Sequence, residues 1–510
     1  MKQYYLGIEF GSTRVKAVLI DGEHRIVKSG DYTWKSSLEN GVWTYHMEDV
    51  QTGLRTAIRN LGELPGAVSA MGISGMMHGY LAFDKDWNLL APFRTWQNTM
   101  TGEAAEQLTA EFGFNIPQRW SIAHLYQAVL NGEAHVKNIA HITTLAGYVH
   151  YLLTGENVLG VGEASGMFPI DSEALDYDAA MLKKFDALIA KYGFAWTARS
   201  VLPKVLTAGQ AAGALTQAGS TFLDGLLSAG IPFCPPEGDA GTGMTATNAV
   251  APRTGNVSAG TSIFAMVVLE KPLSKVYQEI DMVTTPSGKP VAMVHCNNCT
   301  NDMNAWVSLL GETAKLFGAE VSTGELFTKL YQKSLEGDAD CSGVLTYNYM
   351  AGEGITHLDE GRPMVVRKPE SSFTLANFLR SQLYATMSTL KLGMDILAEE
   401  HVAIDSLTGH GGLFKTPVVG QKYMAAACRA PVTCMESAGE GGPYGMALLA
   451  SYLVQKQDGQ TLEQYLETEI FADVKRTTLA PDPEDEAGFD RYLSWYRSAL
   501  AAENAAVKAF

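Results

Sequence analysis

An α/β protein of two large domains is what this sequence predicts, and three observations carry the prediction. Strand-like and helix-like stretches alternate along the chain, the pattern of layered α/β folds. At 510 residues the chain exceeds what one hydrophobic core organises. A hairpin pattern also occurs twice, half a chain apart. Leu6, Ile8, Phe10 and then Val15, Ala17, Leu19 flank Gly11-Ser12-Thr13, while Val257, Ala259 and then Phe264, Met266, Val268 flank Gly260-Thr261-Ser262. Period-two alternation broken by a Gly/Ser/Thr cluster reads as a hairpin, and its recurrence points to an internal duplication of whole domains. No low-complexity linker interrupts the chain, so closely joined domains over residues 1–250 and 251–510 are expected.

The remaining elements follow from local pattern. Residues 67–83 hold two short apolar runs around Gly72, Gly75 and Gly79, and residues 138–153 read as a strand passing into a helix. After the second hairpin come a helix over about residues 301–317 and a long amphipathic helix from about Thr374. Its apolar residues Leu375, Leu379, Leu383, Met387, Leu390, Met394 and Leu397 step by three and four, which predicts one buried face. A last helix is expected after Gly442-Pro443, since proline is tolerated in a first turn. The acidic run Asp482 to Glu486 reads as a solvated helix start.

Composition excludes several functions. With 38 Lys+Arg against 55 Asp+Glu the formal charge is −17, which leaves no cationic excess to neutralise nucleic-acid phosphates or to attract anionic lipid. Hydrophobic residues at 46% and charged residues at 18% rule out bulk disorder. No apolar run approaches the roughly 18 residues of a membrane helix, and the opening MKQYYLGIEFGSTRVKAVLID lacks a signal-peptide core. Six cysteines are too few for a disulfide framework, so a cytoplasmic protein is expected.

Chemistry concentrates in three places. Backbone N–H groups of a tight Gly/Ser/Thr turn can converge on phosphate oxygens. Before the first such turn stands Glu9, a carboxylate able to hold Mg²⁺ through water. After it stands Lys16, a point charge for a phosphate. One such hairpin alone is equally an ordinary surface turn. The second place is Glu237-Gly238-Asp239-Ala240-Gly241-Thr242-Gly243. An acid set among glycines admits a hydroxyl closely, so Asp239 can take its proton as it attacks a γ-phosphate; the plain alternative is a solvated turn. Gly241, Gly243 and Ala246 also fit a dinucleotide fingerprint, but Pro235-Pro236 break the preceding strand and no acid lies about twenty residues on. The third is Gly409-His410-Gly411-Gly412, answered by Gly439-Glu440-Gly441-Gly442. Glycine clusters of this kind can admit an adenine between backbones, or can be loops. A P-loop is absent, because the Gly288-Lys289 pair is followed by Pro290 and lacks the upstream glycine.

Taken in order, these segments resemble the FGGY family of carbohydrate kinases over nearly the whole chain. GIEFGSTRVKAVLID is similar to the family's first phosphate loop, GNVSAGTSIFAMVV to its second, and EGDAGTG to the segment of the catalytic aspartate. GHGGLFKTPV with ESAGEGGPYGMALLAS resembles its adenosine-binding pair; YNYMAGEGITHLDEGRP and VGEASGMFPID fit two further segments. GISGMMHGYLAFD looks most like the xylulokinase branch. The resemblance implies two actin/hexokinase-type (ribonuclease H-like) ATPase domains around a central cleft, with ATP and Mg²⁺ as cofactors. It implies Asp239 as general base, Mg²⁺ near Glu9 and Asp239, and phosphates against Gly11, Ser12, Thr13, Lys16, Gly260, Thr261 and Ser262. Adenosine would lie against Gly411, Gly412 and Gly441, and a small sugar, most plausibly a ketopentose such as xylulose, against Met77, His78 and Trp96. Family members are often dimers, so a homodimer is expected.

The chain departs from the family pattern in places. Glu9 stands where Asp is usual, moving the carboxylate outward by about 1.5 Å. Ala240 stands where xylulokinases carry Asn, Gln97-Asn98-Thr99 lacks the usual acid after Trp96, and Gly352 to His357 lacks the family's arginine. Phosphate machinery thus matches better than the sugar pocket. A catalytically weak sugar-binding regulator stays open on that ground, as does a kinase for ribulose, glycerol or a gluconate-like acceptor; a mechanical or chaperone ATPase fits the Met77-His78 and Asp239 segments poorly. Cys296-Asn297-Asn298-Cys299 lacks the second ligand pair a zinc site wants and is read as structural. Asn301, Asp302 and Trp306, on a helix start expected to face the cleft, are open to a substrate contact or a structural role.

Overall fold

Two sheets with one shared strand order build the protein. The computed structural model describes residues 3–435 and 441–509, which fall into two units: Met1–Pro252 with Glu270–Val291 and Glu440–Val474, and Arg253–Leu269 with Ala292–Gly439 and Lys475–Phe510. In the first unit β1 (Tyr4–Phe10), β2 (Arg14–Asp21), β3 (Ile26–Thr33), β4 (Val68–Gly75) and β5 (Glu237–Gly238) lie in the order β5-β4-β1-β2-β3. β1 runs antiparallel to β2 and parallel to β4, which places Glu9 between Lys16 and Ser74.

Alternation along β1 sends its two residue sets to opposite faces. Leu6, Ile8 and Phe10 join a core with Val50, Leu54, Ala57 and Ile58 of the helix Met47–Arg59. Tyr5, Gly7 and Glu9 take the other face, which the helix Gly442–Gln455 covers. That helix sits so close that a Cβ on Gly7 would lie 2.0 Å from the Pro443 carbonyl oxygen, and one on Gly445 would lie 2.0 Å from that of Thr242. Only hydrogen in place of a side chain allows this seating.

In the second unit β6 (Thr254–Ala259), β7 (Ile263–Val268), β8 (Pro290–Cys296), β9 (Ser406–His410), β10 (Val432–Met435) and β11 (Arg476–Leu479) lie in the order β8-β7-β6-β9-β10-β11. Here too a hairpin leads, β6 pairing antiparallel with β7 and parallel with β9. From β8, the first five positions repeat the order of the first sheet read from β3.

The units differ from two continuous halves, because Glu270–Val291 and Glu440–Val474 belong with the N-terminal unit. Hydrogen bonds hold the former there: the Thr284 N–H donates to Ser165 Oγ at 3.0 Å and its hydroxyl to the Val161 carbonyl at 3.0 Å. The latter is held by the seating of Gly442–Gln455 on β1. The Gly439-Glu440 part of the second glycine cluster lies outside the described residues.

Two expectations from pattern fail in the second unit. The helix Leu375–Glu399, capped by Thr374, buries polar Arg380, Gln382, Thr386 and Thr389 along with its leucines, so it is enclosed on all sides rather than amphipathic. The helices Thr323–Ser334, Val419–Cys428 and Pro483–Ala509 surround it. The acidic run is not simply solvated either. Asp485 is buried, because it pairs with Arg380 at 2.6 Å and with Lys422 at 2.5 Å, and a buried charge needs such partners.

The Cys296-to-Cys299 turn is structural, as the sequence suggested. Both thiols are buried and free, and burial pushes their pKa values up. The Asn298 side chain accepts the N–H groups of Met350 and Ala351 at 2.8 and 3.0 Å, and Glu353 accepts those of Asn297 and Asn298 at 2.9 and 3.3 Å. Burial raises the Glu353 carboxyl to about 7, against the opposing effect of these bonds. Its folded pKa lies above the unfolded value, so its contribution favours folding at low pH and is lost as pH climbs from about 4.5 through 7. Glu353→Gln, which keeps an acceptor and cannot ionise, is expected to flatten that decline by up to roughly 3 kcal/mol; thermal unfolding of both proteins at pH 5 and pH 8 measures it.

Candidate active site

Asp239 opens the helix Asp239–Ala246 directly after β5. Its Oδ1 accepts the N–H of Met77 at 3.3 Å and that of Ala240 at 3.0 Å. With Oδ1 held on both sides, the carboxylate is fixed in direction and Oδ2 is left, among the described residues, to whatever meets it from solvent. Asp239 is exposed, yet the protein crowded around it displaces enough water to raise its pKa, against the opposing effect of the backbone bonds. A raised carboxylate pKa is what a proton acceptor wants.

Glu9 ends β1 on the face that Gly442–Gln455 covers. A Cβ on Gly442 would fall 1.5 Å from Glu9 Oε2, so any side chain there has to displace the carboxylate. Oε2 is buried without a hydrogen-bond partner among the described residues. Burial first, and the Asp239 charge second, raise the Glu9 carboxyl to about 8, with Lys16 opposing. An orphaned carboxylate oxygen electrostatically linked to a second carboxylate suits a hard divalent cation, which takes one or two protein carboxylates and completes its shell with water and phosphate. The donor set therefore fits Mg²⁺, with Glu9 and Asp239 as the residues to hold it.

The remaining first-unit candidates gather around the same strands. Met77 and His78 follow β4; the Met77 side chain lies where a Cβ on Gly238 would meet it at 2.2 Å, so it packs against the residue before Asp239. His78 adopts φ of +70°, a left-handed backbone uncommon outside glycine and typical of strained functional turns. Its Nδ1–H donates to the Gly166 carbonyl at 3.0 Å, which makes Nε2 the acceptor nitrogen of the neutral ring. The ring stacks on Trp120, centroids 6.1 Å apart. Trp96 is 39% exposed and donates through Nε1 to Ser12 Oγ at 3.3 Å, so it joins the candidate sugar wall to the first loop. Gly441 belongs to the first unit and precedes the helix that meets Glu9.

The second unit carries Gly260, Thr261 and Ser262 between β6 and β7, and Gly411 and Gly412 directly after β9. β6 and β9 are parallel neighbours with Ser258 opposite His410, so the two loops emerge side by side. They touch: a Cβ on Gly411 would lie 2.5 Å from the Ala259 carbonyl oxygen. Trp306 packs edge-to-face on Phe378, centroids 4.8 Å apart, and Asp302 is buried with a raised pKa.

Two buried acids behind Asp239 escaped the sequence reading. Glu237 Oε2 accepts the Glu163 N–H at 2.9 Å, and both side chains are shut from solvent. Burial raises Glu237 to about 8 and Glu163 well above its ordinary range, which favours the neutral form of each. Glu163 packs where a Cβ on Gly238 would meet its Oε2 at 2.4 Å, opposite the Met77 side chain. A glutamate beside glycines in sequence gives no sign of such burial.

Family comparison bears on this geometry. Residues 4–245 match the N-terminal domain, and residues 255–454 the C-terminal domain, of the FGGY family of carbohydrate kinases. The chain belongs to this family. It is an ATP-dependent carbohydrate kinase. It is 22% identical to the xylulose kinase of Haemophilus influenzae over 96% of this chain and 99% of that protein. Its fold is similar to that of a gluconate kinase from Lactobacillus acidophilus, with TM-score 0.81 at 16% identity over 99% of each chain. A xyloylose kinase from Brucella ovis gives TM-score 0.79 at 20% identity over 98% of this chain and 99% of the other. The actin/hexokinase-type fold expected from sequence is thereby shown, and no helix among the described residues is long and apolar enough to cross a membrane.

In this FGGY kinase the contact of Gly442 with Glu9 is testable. Gly442→Ala gains helix propensity of up to about 1 kcal/mol but drives a methyl into the carboxylate, an overpacking cost of about 1–3 kcal/mol or more. A lower melting temperature and strongly reduced turnover are expected; calorimetry and a coupled ATP assay that both match the parent would show that the carboxylate is not seated there.

Proposed function

We propose that this kinase transfers the γ-phosphoryl group of ATP to a terminal hydroxyl of a ketopentose, xylulose foremost, with Asp239 as general base. The observation that carries the base assignment is the two-sided hold on Asp239 Oδ1 by the Met77 and Ala240 amides, which presents Oδ2 in a fixed direction. The acceptor hydroxyl gives its proton to Oδ2 as its oxygen forms a bond to the γ-phosphorus, and the bond from that phosphorus to the β,γ-bridging oxygen breaks to release ADP. Mg²⁺, held by Glu9 and Asp239, would supply positive charge to the phosphate oxygens. The Ser12, Thr13, Thr261 and Ser262 segments are assigned to phosphate, Gly411, Gly412 and Gly441 to adenosine, and Lys16 to a phosphate as a point charge. His78 Nε2 would accept a sugar hydroxyl, with Met77 and Trp96 as apolar walls.

Support for a ketopentose over glycerol or a sugar acid comes from the full-length likeness to a xylulose kinase and from the Met77-His78 turn after β4. A cytoplasmic setting, where ATP is abundant, belongs to the same proposal. Coupled ATP turnover with Mg²⁺ against ketopentoses, aldoses, pentitols, glycerol and gluconate tests the acceptor. Xylulose is expected to raise turnover most; a different leader reassigns the sugar, and a flat panel rejects the ketopentose reading. Asp239→Asn is expected to lower kcat by about 10²–10⁴-fold while ATP binding persists, and near-parent turnover would remove Asp239 from the base role.

A further inference from the structure

The first Gly-Ser-Thr loop is turned by groups that nothing above assigns to function. Trp34 Nε1–H donates to the Gly11 carbonyl at 2.7 Å, and the Tyr45 hydroxyl donates to the Ser12 carbonyl at 2.7 Å. A third bond, from the Trp34 backbone N–H, reaches the Thr13 carbonyl at 3.1 Å. In a trans peptide the carbonyl and the next N–H point to opposite sides of one plane, and the described residues contain no cis bond. Drawing the Gly11 and Ser12 carbonyls toward the aromatic pair therefore drives the Ser12 and Thr13 amides the other way, toward the open side of the loop where Thr13 is exposed. Neither amide finds an acceptor among the described residues, whereas the Gly11 amide closes the turn on the Arg14 carbonyl at 2.9 Å.

The donors are rigid. Trp34 and Tyr45 are buried, their rings 4.3 Å apart, with Phe10 against Trp34 and Phe93 against Tyr45. The second unit reaches the same orientation with unrelated groups. Thr300 donates to the Gly260 carbonyl through its N–H at 3.2 Å and its hydroxyl at 2.8 Å, and the Cys299 N–H donates to the Thr261 carbonyl at 3.1 Å. The Thr261 and Ser262 amides are thus also turned away from their donors. An aromatic pair in one unit and a helix start in the other doing one job marks amide orientation as a requirement of the loops, not a by-product of one core.

We propose that Trp34 and Tyr45 are positioning residues for the nucleotide: by occupying the Gly11 and Ser12 carbonyls they hold the Ser12 and Thr13 amides as a preformed pair of donors for phosphate oxygens. Without them the peptides can flip, and a carbonyl facing a polyphosphate repels it. The inference rests on the ATP-site reading above. The Trp96 Nε1 bond to Ser12 Oγ leaves the peptide planes untouched, so this effect belongs to Trp34 and Tyr45.

Tyr45→Phe keeps the ring and removes only the donated hydrogen bond. Its expected effect is a rise of about five-fold in both the KM for ATP and the Kd for ADP, the size of one lost hydrogen bond, with the KM for the acceptor sugar unchanged. Trp34→Phe is expected to act in the same direction. Leu54→Ala, in the same core but remote from the loop carbonyls, is expected to lower the melting temperature by more than Tyr45→Phe while leaving the KM for ATP at the parent value. Parent-like ADP affinity in Tyr45→Phe, or an equal rise in Leu54→Ala, overturns the proposal while leaving the kinase site intact. A parent protein that binds no ADP by calorimetry overturns the nucleotide reading and this inference with it.

Discussion

The close seating of the helix Gly442–Gln455 on β1 is the contact on which the first unit depends. Glycine at 7 and at 445 brings helix backbone against strand and against the Asp239–Ala246 helix at distances no Cβ permits, so three elements share one dense junction. Dense packing of this kind transmits displacement instead of absorbing it. Glu9 and Asp239 stand at its edge: the former is pinned by Gly442, and the latter begins the helix that Gly445 touches. Moving the helix would move both carboxylates at once.

Charge at that junction is unbalanced. Glu9, Glu163, Glu237 and Asp239 all have raised pKa values, and in each the first cause is loss of water. Glu237 takes the Glu163 amide. Glu9 has an orphaned oxygen, and Asp239 has one oxygen bonded and one presented. Acids with few donors make a poor stabilising network but a good place for a cation that arrives with its phosphates.

Much of the fold was legible because it is written in local pattern. The hairpins at Gly11 and Gly260 were readable from alternation and punctuation, and the Thr374 cap and the Gly442-Pro443 helix start from terminus chemistry. Composition and motif order led to the FGGY family. What pattern misjudged was enclosure. The stepping leucines of Leu375–Glu399 gave one face, but burial of Arg380 and Gln382 depends on partners 36 to 105 residues away in sequence, and Asp485 is dry because Arg380 reaches it. Within the site, Asp239, Glu9, Met77 and His78 were named from sequence, whereas Trp34, Tyr45, Glu163 and Glu237 were not. Their roles rest on hydrogen bonds and burial between distant segments, which leave no mark in spacing.

By itself the sequence determined the α/β class, the duplicated hairpins and the family, since each follows from residue type and short-range order. Tertiary structure alone decided which segments make each unit, carrying Glu270–Val291 and Glu440–Val474 to the N-terminal one. It also decided that Gly441 heads the helix seated against Glu9. The physical reason is one of range. Dihedral preference and alternation act over a few residues, while desolvation, close approach and the direction of a peptide plane are set by whichever atoms the folded chain brings alongside.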